Sequence, residues 1–351
     1  MLQNNNESKT YLVTGAAGFI ASTFVRQLTQ QGHRVVVLDA LTYAGHRENL
    51  EAIPGPGKLD LVIGNICDSN RVPQLLKEYP FDAVLNFAAE SHVDRSITGP
   101  QSFIETNILG TFNLLQCTLA YWQGLEGRKK KDFRYLQVST DEVYGSLGPT
   151  GKFHEALPYQ PNSPYSASKA AADHLVRAWH HTYNLPTLTT NCSNNYGPRQ
   201  FPEKLIPHMI LCALQGKPLP VYGDGGNVRD WIHVEDHCRG IELALNKGTP
   251  GGTYCFGGNS ERDNLSVVKA ICQQLDAIRP RSDGTSYSQQ ITFVKDRLGH
   301  DRRYAIDDTL AQKELGFTRN YNSFEEGLRA TLHWYLDHTP WITAVTSHAK
   351  T

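Results

Sequence analysis

Thr10-Tyr11-Leu12-Val13-Thr14 runs straight into Gly15-Ala16-Ala17-Gly18-Phe19-Ile20-Ala21, and this stretch decides the fold. The first five residues read as a short strand. The turn that follows opens FIASTFVRQLTQQG, whose apolar residues recur at helical spacing before a glycine stop. Gly15 permits a tight turn, Gly18 lets backbone approach a pyrophosphate, and a small residue at Ala21 lets helix and strand pack closely. The start of the helix presents free N–H groups and a positive dipole end to phosphates. A glycine-rich turn alone says little. With a strand before it and a helix after it, it predicts a dinucleotide site.

The next strand, RVVVLD, ends at Asp39. A carboxylate there hydrogen-bonds ribose hydroxyls and repels a 2′-phosphate, which favours NAD over NADP. LDLVIG, DAVLNFA and RYLQVST follow, separated by helical stretches of which FIETNILGTFNLLQCTLAYW is the clearest. Repeated strand–helix–strand patterns predict an α/β fold, a doubly wound parallel-sheet Rossmann domain with helices on both faces. Beyond about residue 195 the chain turns to Gly- and Pro-rich short segments such as GKPLPVYGDGG. These suggest a smaller C-terminal α/β substrate-binding region over the C-terminal edge of the sheet. The expected division is 10–195 for the dinucleotide domain with the catalytic residues and 196–338 for the second region, with tails at 1–9 and 339–351.

The chain has 351 residues, 40% of them hydrophobic, enough for a large core. Thirty-four Lys and Arg balance 35 Asp and Glu, so neither a nucleic-acid nor a membrane partner is expected. The basic run Arg128-Lys129-Lys130-Lys131 reads as a solvated loop. No segment reaches the ~18 apolar residues of a membrane span, and MLQNNNESK lacks the apolar centre of a signal peptide. Seven scattered cysteines without a CxxC pair predict free thiols in a reducing cytoplasm. His233 and His237 in WIHVEDHC have the spacing of a metal pair on a helix, but no third ligand is evident and no metal is expected.

Two segments carry candidate chemistry. Tyr165 and Lys169 sit in YSASKAAADHLVRAWHH, and residues four apart on a helix share a face. An ammonium beside a phenol favours phenolate, which can act as a base toward a substrate hydroxyl. Ser139-Thr140-Asp141-Glu142-Val143-Tyr144-Gly145 closes the strand RYLQVST. Ligands of open parallel sheets bind outside the carboxyl ends of the strands. Two adjacent carboxyls there, one protonated and one ionised, supply an acid and a base.

With TGAAGFIAS, LDALTYAG, FAAESHVDRSI, FIETNILGT, VSTDEVYG, YSASKAAADHLV, TNCSNNYGPRQFPEKLIP, PVYGDGGNVRDWIHVEDH and DRLGHDRRYAID, the chain resembles the extended short-chain dehydrogenase/reductase superfamily. Within it, from about Tyr11 to Trp334, it is similar to the dTDP-glucose 4,6-dehydratase family. The triplet Thr140-Asp141-Glu142 separates that family from sugar-nucleotide epimerases and decarboxylases. The resemblance implies a bound NAD lined by Gly15, Gly18, Phe19, Ile20, Asp39, Ala40, Leu41, Thr42, Asn65, Ile66, Phe87, Ala88, Ala89, Ser91, Thr106 and Asn195, with Tyr165 and Lys169 at the nicotinamide ribose. It implies that Ser91 and Thr140 approach the glucose of dTDP-glucose or a similar nucleotide sugar, and Asn194 its sugar or diphosphate. Lys204, Leu205, Pro220, Val221, Tyr222, Arg229, Asn264, Asp296, Arg297 and His300 would hold the nucleotide diphosphate. Tyr165 would take the proton of the C4 hydroxyl, Glu142 the proton at C5, and Asp141 would protonate the departing C6 hydroxyl.

The resemblance further implies a homodimer, built on a four-helix bundle from two apolar helices per subunit. Three residues depart from the family pattern. Ala21 replaces the third glycine, Asn65 the usual acid before Ile66, and Leu298 the usual proline, which together point to altered cofactor and substrate affinity rather than lost chemistry. Two other readings stand beside this one. A UDP-glucose dehydratase, epimerase or decarboxylase on the same scaffold is one, and an NAD-sensing binding protein without activity is the other. The intact set Thr140, Asp141, Glu142, Tyr165 and Lys169 argues against the last.

Overall fold

The computed structural model describes residues 8–296, 301–321 and 323–347. Arg297, Leu298 and His300 lie outside the described residues. The strands are β1 (Thr10–Thr14), β2 (Arg34–Asp39), β3 (Lys58–Ile63), β4 (Ala83–Asn86), β5 (Arg134–Val138), β6 (Thr187–Cys192), β7 (Asn194–Tyr196), β8 (Leu219–Tyr222), β9 (Val228–His233), β10 (Thr253–Phe256), β11 (Glu261–Asp263) and β12 (Ile291–Val294). The main sheet has the order β10-β6-β5-β4-β1-β2-β3. Its pairs β1–β2, β2–β3, β1–β4, β4–β5 and β5–β6 all run parallel. The chain winds outward from β1 to β3, returns to the other side of β1 with β4, and winds outward again. That reversal is the doubly wound pattern expected from the sequence, and it creates the crevice at which such sheets bind ligands. β2, β4 and β6 are buried on both faces, as covered parallel strands are, and so they read as continuous apolar or β-branched runs.

The chain forms two compact units that interleave. One takes the chain up to Ser139 with Ala167–Thr190 and Ala244–Thr253. The other takes Thr140–Ser166, Asn191–Leu243 and the chain from Tyr254 onward. The first unit is built on Leu12, Val36, Leu38, Val84, Leu114, Phe133 and Tyr135. A buried polar chain crosses its sheet. Thr14 Oγ1 donates to Asn86 Oδ1 at 2.6 Å. Asn86 Nδ2 donates to Gln137 Oε1 at 2.9 Å and to Thr111 Oγ1 at 3.2 Å. A satisfied network of this kind fixes strand register, because a slip would orphan several buried groups.

Two local readings change here. The stretch 103–122 is helical but not uniformly so. Ile104–Gly110 is a π-helix between Gln101–Phe103 and Thr111–Gln123. Within it Asn107 accepts from Glu90 N–H at 2.9 Å, and its Nδ2 donates to Glu90 O at 3.0 Å and Ser168 Oγ at 2.8 Å. A π-turn adds a residue per loop, and such turns recur at functional sites. Apolar periodicity cannot reveal it. The basic run 128–131 lies in a short exposed helix, Gly127–Asp132, rather than a loop. Arg128 pairs with Asp132 at 3.0 Å, and the lysines occupy the last turn, where the helix dipole favours cations.

In the second unit β9 is the centre of a three-stranded sheet, parallel to β7 and antiparallel to β11. β8 pairs with β12 in parallel. The helices Leu205–Leu214, Asn264–Ile278 and Phe324–Asp337 close its core around Ile210, Ile271, Leu328 and Leu332. Residues 339–347, read as part of a tail, form the helix Thr339–Ser347. Trp341 and Val345, four apart on one face, are buried in that core. The segment after Ser139 is tied to the chain near residue 305. Phe153 N–H donates to Ala305 O and Asp307 N–H to Phe153 O, both at 2.8 Å, while Tyr144 stacks on Phe153.

Candidate active site

The first unit carries the glycine turn. Gly15 has φ +67°, and a Cβ placed on it would lie 2.7 Å from the Ala88 backbone. Only glycine fits that approach between the turn after β1 and the loop after β4. The helix Phe19–Gln30 begins at Gly18 with no side-chain cap. A helix start of that kind suits a phosphate. Asp39 is buried, and burial raises its carboxyl above the ordinary range while backbone hydrogen bonds pull it down. Its Oδ2 accepts from Ala17 N–H at 2.8 Å and its Oδ1 from Leu41 N–H at 2.7 Å. The carboxylate thus pins both loops that flank the turn. Its remaining lone pairs are of the kind that accept ribose hydroxyls.

Several other residues proposed for the cofactor stand in the same unit. Ala40, Leu41 and Thr42 follow β2, and Asn65 and Ile66 follow β3. Phe87, Ala88, Ala89 and Ser91 follow β4, and Thr106 is in the π-helix. Asn65 Oδ1 accepts from Cys67 N–H at 2.9 Å, so the amide closes its own turn. Ala21 is fully packed, and its methyl is accommodated between helix and sheet. Lys169 lies in the helix Pro164–Tyr183, and its Nζ donates to Val138 O at 2.8 Å. These groups fit a dinucleotide. An uncapped helix start, a glycine contact too close for any Cβ, and an acceptor at the end of β2 together match its phosphates and ribose.

The second unit holds the carboxyls. Thr140 caps the tight 3₁₀ turn Asp141–Tyr144, its Oγ1 accepting from Glu142 N–H at 3.3 Å. Asn191 Nδ2 donates to Thr140 O at 2.9 Å and holds the turn from below. Asp141 is only 2% exposed, and its Oδ2 has no protein partner. Burial, then the charges of Glu142 and Asp230, push its carboxyl well above the usual range, against a smaller downward pull from Arg229. Each of these influences disfavours its ionised form. Glu142, the next residue, is half-buried.

Tyr165 begins the helix Pro164–Tyr183 and is buried. Burial and then Glu142 push its phenol well above the ordinary value, while a hydrogen bond with Thr140 pulls it down. This is opposite to the direction expected from a neighbouring lysine. Desolvation and adjacent carboxylates outweigh a favourable cation when the phenol is sealed from water.

Of the proposed nucleotide residues, Pro220, Val221 and Tyr222 form most of β8. Lys204 and Leu205 stand at the start of a helix packed on β8, and Asn264 opens another. Asp296 follows β12, the partner of β8. The structure gathers these around one strand pair. Arg229, on β9, is 5% exposed; its Nη1 donates to Val228 O and its Nη2 to Asp301 O, and the guanidinium lies 4.3 Å from the Tyr304 ring centre. Asn194 and Asn195 form β7 with Tyr196.

His233 ends β9 and His237 lies in the helix Val234–Lys247, so the two do not share one helix. Burial lowers both to about 3, so both are neutral. Among the described residues no group of His, Cys, Asp and Glu could hold a metal ion. His237 Nδ1 and Asn195 Oδ1 are 2.9 Å apart, a hydrogen bond that orients Asn195. Sequence reasoning missed Asn107, Asn191 and His237 as positioning groups. Each is an isolated polar residue whose partners are distant in the chain.

The family described as GDP-mannose 4,6 dehydratase matches residues 12–331. The chain is 58% identical over 336 residues, 96% of its length and 95% of the other's, to the dTDP-glucose 4,6-dehydratase of Xanthomonas campestris pv. campestris (strain B100). It is 51% identical over 348 residues, 96% of each chain, to that of Salmonella typhimurium. Its structure is similar to that of DesIV, a dTDP-glucose 4,6-dehydratase from Streptomyces venezuelae with NAD and TYD bound. The TM-score is 0.85 at 43% identity, covering 96% of this chain and 99% of that one.

Proposed function

The chain belongs to the extended short-chain dehydrogenase/reductases, in the family described as GDP-mannose 4,6 dehydratase, and from that premise we infer its reaction. It is an NAD-dependent hydro-lyase that converts dTDP-glucose to dTDP-4-keto-6-deoxy-glucose. The geometry that carries this reading is Asp141. A buried carboxyl whose ionised form is disfavoured, with one oxygen unpartnered, is placed to give a proton to an acceptor from outside the protein.

A bound NAD would supply the hydride acceptor for C4 and the hydride for C6, with no net oxidation. The rest is done by side chains. Thr140 holds Tyr165 by a hydrogen bond that favours its phenolate against the push of burial, and as phenolate its oxygen receives the C4 hydroxyl proton. Once C4 is a ketone, the C5 hydrogen is acidic and Glu142 removes it. Asp141 gives its proton to the C6 oxygen, the C6–O bond breaks and water departs, and Glu142 returns its proton to C5 as C6 is reduced. Acid and base come from neighbouring residues whose burial differs, which pushes their proton affinities apart. Arg229 and the residues around β8 hold the nucleotide diphosphate, where a guanidinium grips phosphate oxygens in a fork. Lys169, Asp39 and the Gly15 turn hold the cofactor.

The test is direct. The purified protein is incubated with dTDP-glucose and, separately, UDP-glucose, without added reductant, and the sugars are analysed by mass spectrometry. Loss of one water from the dTDP sugar is expected, and the two rates fix the base preference. An unchanged mass with both overturns the reading. Tyr165→Phe is expected to abolish the first oxidation, with single-turnover absorbance of reduced cofactor falling by about 10²–10⁴-fold in rate. Unchanged formation of reduced cofactor removes Tyr165 from its role.

The active form is a homodimer. Ile104, Leu109, Phe112 and Tyr183, on the stretches 101–123 and 167–183 of the first unit, are each more than 40% exposed. Such apolar side chains along neighbouring helices suit a helical interface. Light scattering is expected to give twice the 39.2 kDa chain mass, and a monomer at micromolar concentration contradicts it. The seven cysteines, all of them free thiols, support a cytoplasmic setting. Among the described residues, no helix is long and apolar enough to cross a membrane.

A further inference from the structure

We propose that Asn49 is a positioning residue for the cofactor. It fixes one peptide of the glycine turn, so that the turn meets the pyrophosphate with N–H groups and keeps a carbonyl away from it. The inference rests on the reading of the Gly15–Gly18 turn as the dinucleotide site. Asn49 is 1% exposed and stands in the 3₁₀ turn Arg47–Leu50 of the first unit. Its Nδ2 donates to Ala17 O at 2.7 Å, and His46 N–H donates to the same oxygen at 3.0 Å. Ala17 N–H donates to Asp39 Oδ2. Both backbone groups of Ala17 are therefore held by the end of β2 and the chain that follows it. Asn49 is fixed in turn. Its N–H donates to His46 O at 3.0 Å, its O accepts from Arg26 Nη2 at 3.1 Å, and Arg26 Nη1 donates to Ala52 O at 3.0 Å. Arg26 belongs to the helix Phe19–Gln30. That helix grips the 47–52 loop, and the loop grips the chain just ahead of the helix.

A trans peptide is planar, so holding one end orients the other. With the Ala17 carbonyl turned to Asn49, the Gly18 N–H of the same peptide points the opposite way and donates to Gly15 O at 3.1 Å. Glycine resists rotation of that peptide least, because it tolerates backbone conformations closed to other residues. A rotated peptide would carry the Ala17 oxygen out of its buried contact and toward the phosphates. A carbonyl there opposes an anion, whereas the amides of a helix start favour one. Asparagine suits this task and aspartate does not. The contact needs a donor on a short side chain, and a carboxylate of the same shape would set an acceptor against the Ala17 oxygen. The reaction adds to the bond's importance. The cofactor must stay bound between the two hydride transfers, and its pyrophosphate is the same in both redox forms.

The test separates the phosphates from the rest of the ligand. Protein freed of NAD is titrated with NAD by calorimetry and with adenosine by ligand-observed NMR. Asn49→Ala should raise the Kd for NAD about three- to tenfold, the worth of one hydrogen bond, and leave the Kd for adenosine unchanged. Asn49→Asp keeps the shape without the donor and should weaken NAD at least as much. Parental NAD affinity in either folded variant overturns the proposal, because a bond equally good in the free and the loaded protein serves stability alone. Equal weakening of NAD and adenosine also overturns it and leaves Asn49 a structural residue of the loop. Should the Asn49 variants fail to melt cooperatively, Arg26→Gln carries the same test. It releases Asn49 O, loosens the brace and should weaken NAD by about two- to threefold, with adenosine unchanged. An unmoved NAD Kd there refutes the idea. Failure of the unaltered protein, freed of NAD, to bind NAD again is a different result, and it removes the dinucleotide reading itself.

Discussion

Asp141→Asn lowers kcat for dehydration by about 10²–10⁴-fold, the range over which a positioned general acid contributes, while the first oxidation survives. Asparagine preserves the shape of the side chain and its place in the turn capped by Thr140, but its amide cannot deliver a proton to the C6 oxygen. Mixing the variant with substrate should thus give absorbance from reduced cofactor without loss of water from the sugar. Normal turnover would remove Asp141 from the mechanism. The same substitution has a second, opposite consequence for stability. Burial and the charges of Glu142 and Asp230 raise Asp141 above its unfolded-state pKa. Its contribution to folding is therefore complete at low pH and is lost as pH rises through the raised value. Asparagine does not titrate. The variant should match the parent's melting temperature below the ordinary carboxyl pKa and exceed it increasingly as pH rises from there to the raised value. Equal melting temperatures across the whole range would mean that Asp141 titrates normally.

The largest stability effect is expected at a residue that touches no substrate. Gly258 lies against the backbone of β9, where a Cβ would sit 1.7 Å from Trp231 O and 2.3 Å from Trp231 C. These neighbours are strand backbone, which cannot yield as a side chain would, so Gly258→Ala must push the loop away from the strand. That movement also breaks the bond from Gly258 N–H to Asp230. Severe overpacking of this kind costs about 3 kcal/mol or more. In a unit of this size it lowers the melting temperature by roughly 6–12 °C, at about 2–4 °C per kcal/mol. Gly148→Ala is the matched control. A Cβ there meets nothing within 4 Å, and its φ is not in the left-handed region. The control should melt within about a degree of the parent, since surface changes away from special features stay within ±0.5 kcal/mol. If Gly258→Ala melts with the control, the loop is not packed on β9 as described.

Much of this molecule is readable in one dimension because the relevant physics is local. The turn Gly15–Gly18 sits between a strand and a helix whose apolar periods differ, so its role follows from neighbouring residues alone. Asp39 at the end of β2 and Tyr165 with Lys169 on one helix are also set by short-range spacing. The same locality limits the reading. The direction in which Tyr165 titrates depends on how deeply it is buried and on Glu142, not on a lysine four residues away. The π-turn at 104–110 depends on Asn107 reaching Glu90 and Ser168. Trp341 and Val345 form part of a core only because the helices Leu205–Leu214, Asn264–Ile278 and Phe324–Asp337 provide one. The exposed basic run at 128–131 is helical although its composition resembles a loop.

By itself the sequence determined the doubly wound fold, the dinucleotide turn and the residue types of the acid, the base and the phenol. These are properties of periodicity and of side-chain chemistry, which a chain carries whatever its neighbours. Only the tertiary structure decided where each group belongs and which protons it keeps. The triplet 140–142 directly follows a strand of the first unit in the chain, yet it folds with the second, because Phe153 pairs with the backbone near Ala305. Asp141 is raised above the ordinary carboxyl range only through that arrangement, because burial and nearby charge raise the free energy of its ionised form. Those are relations between residues far apart in the chain, and no reading of adjacent letters contains them.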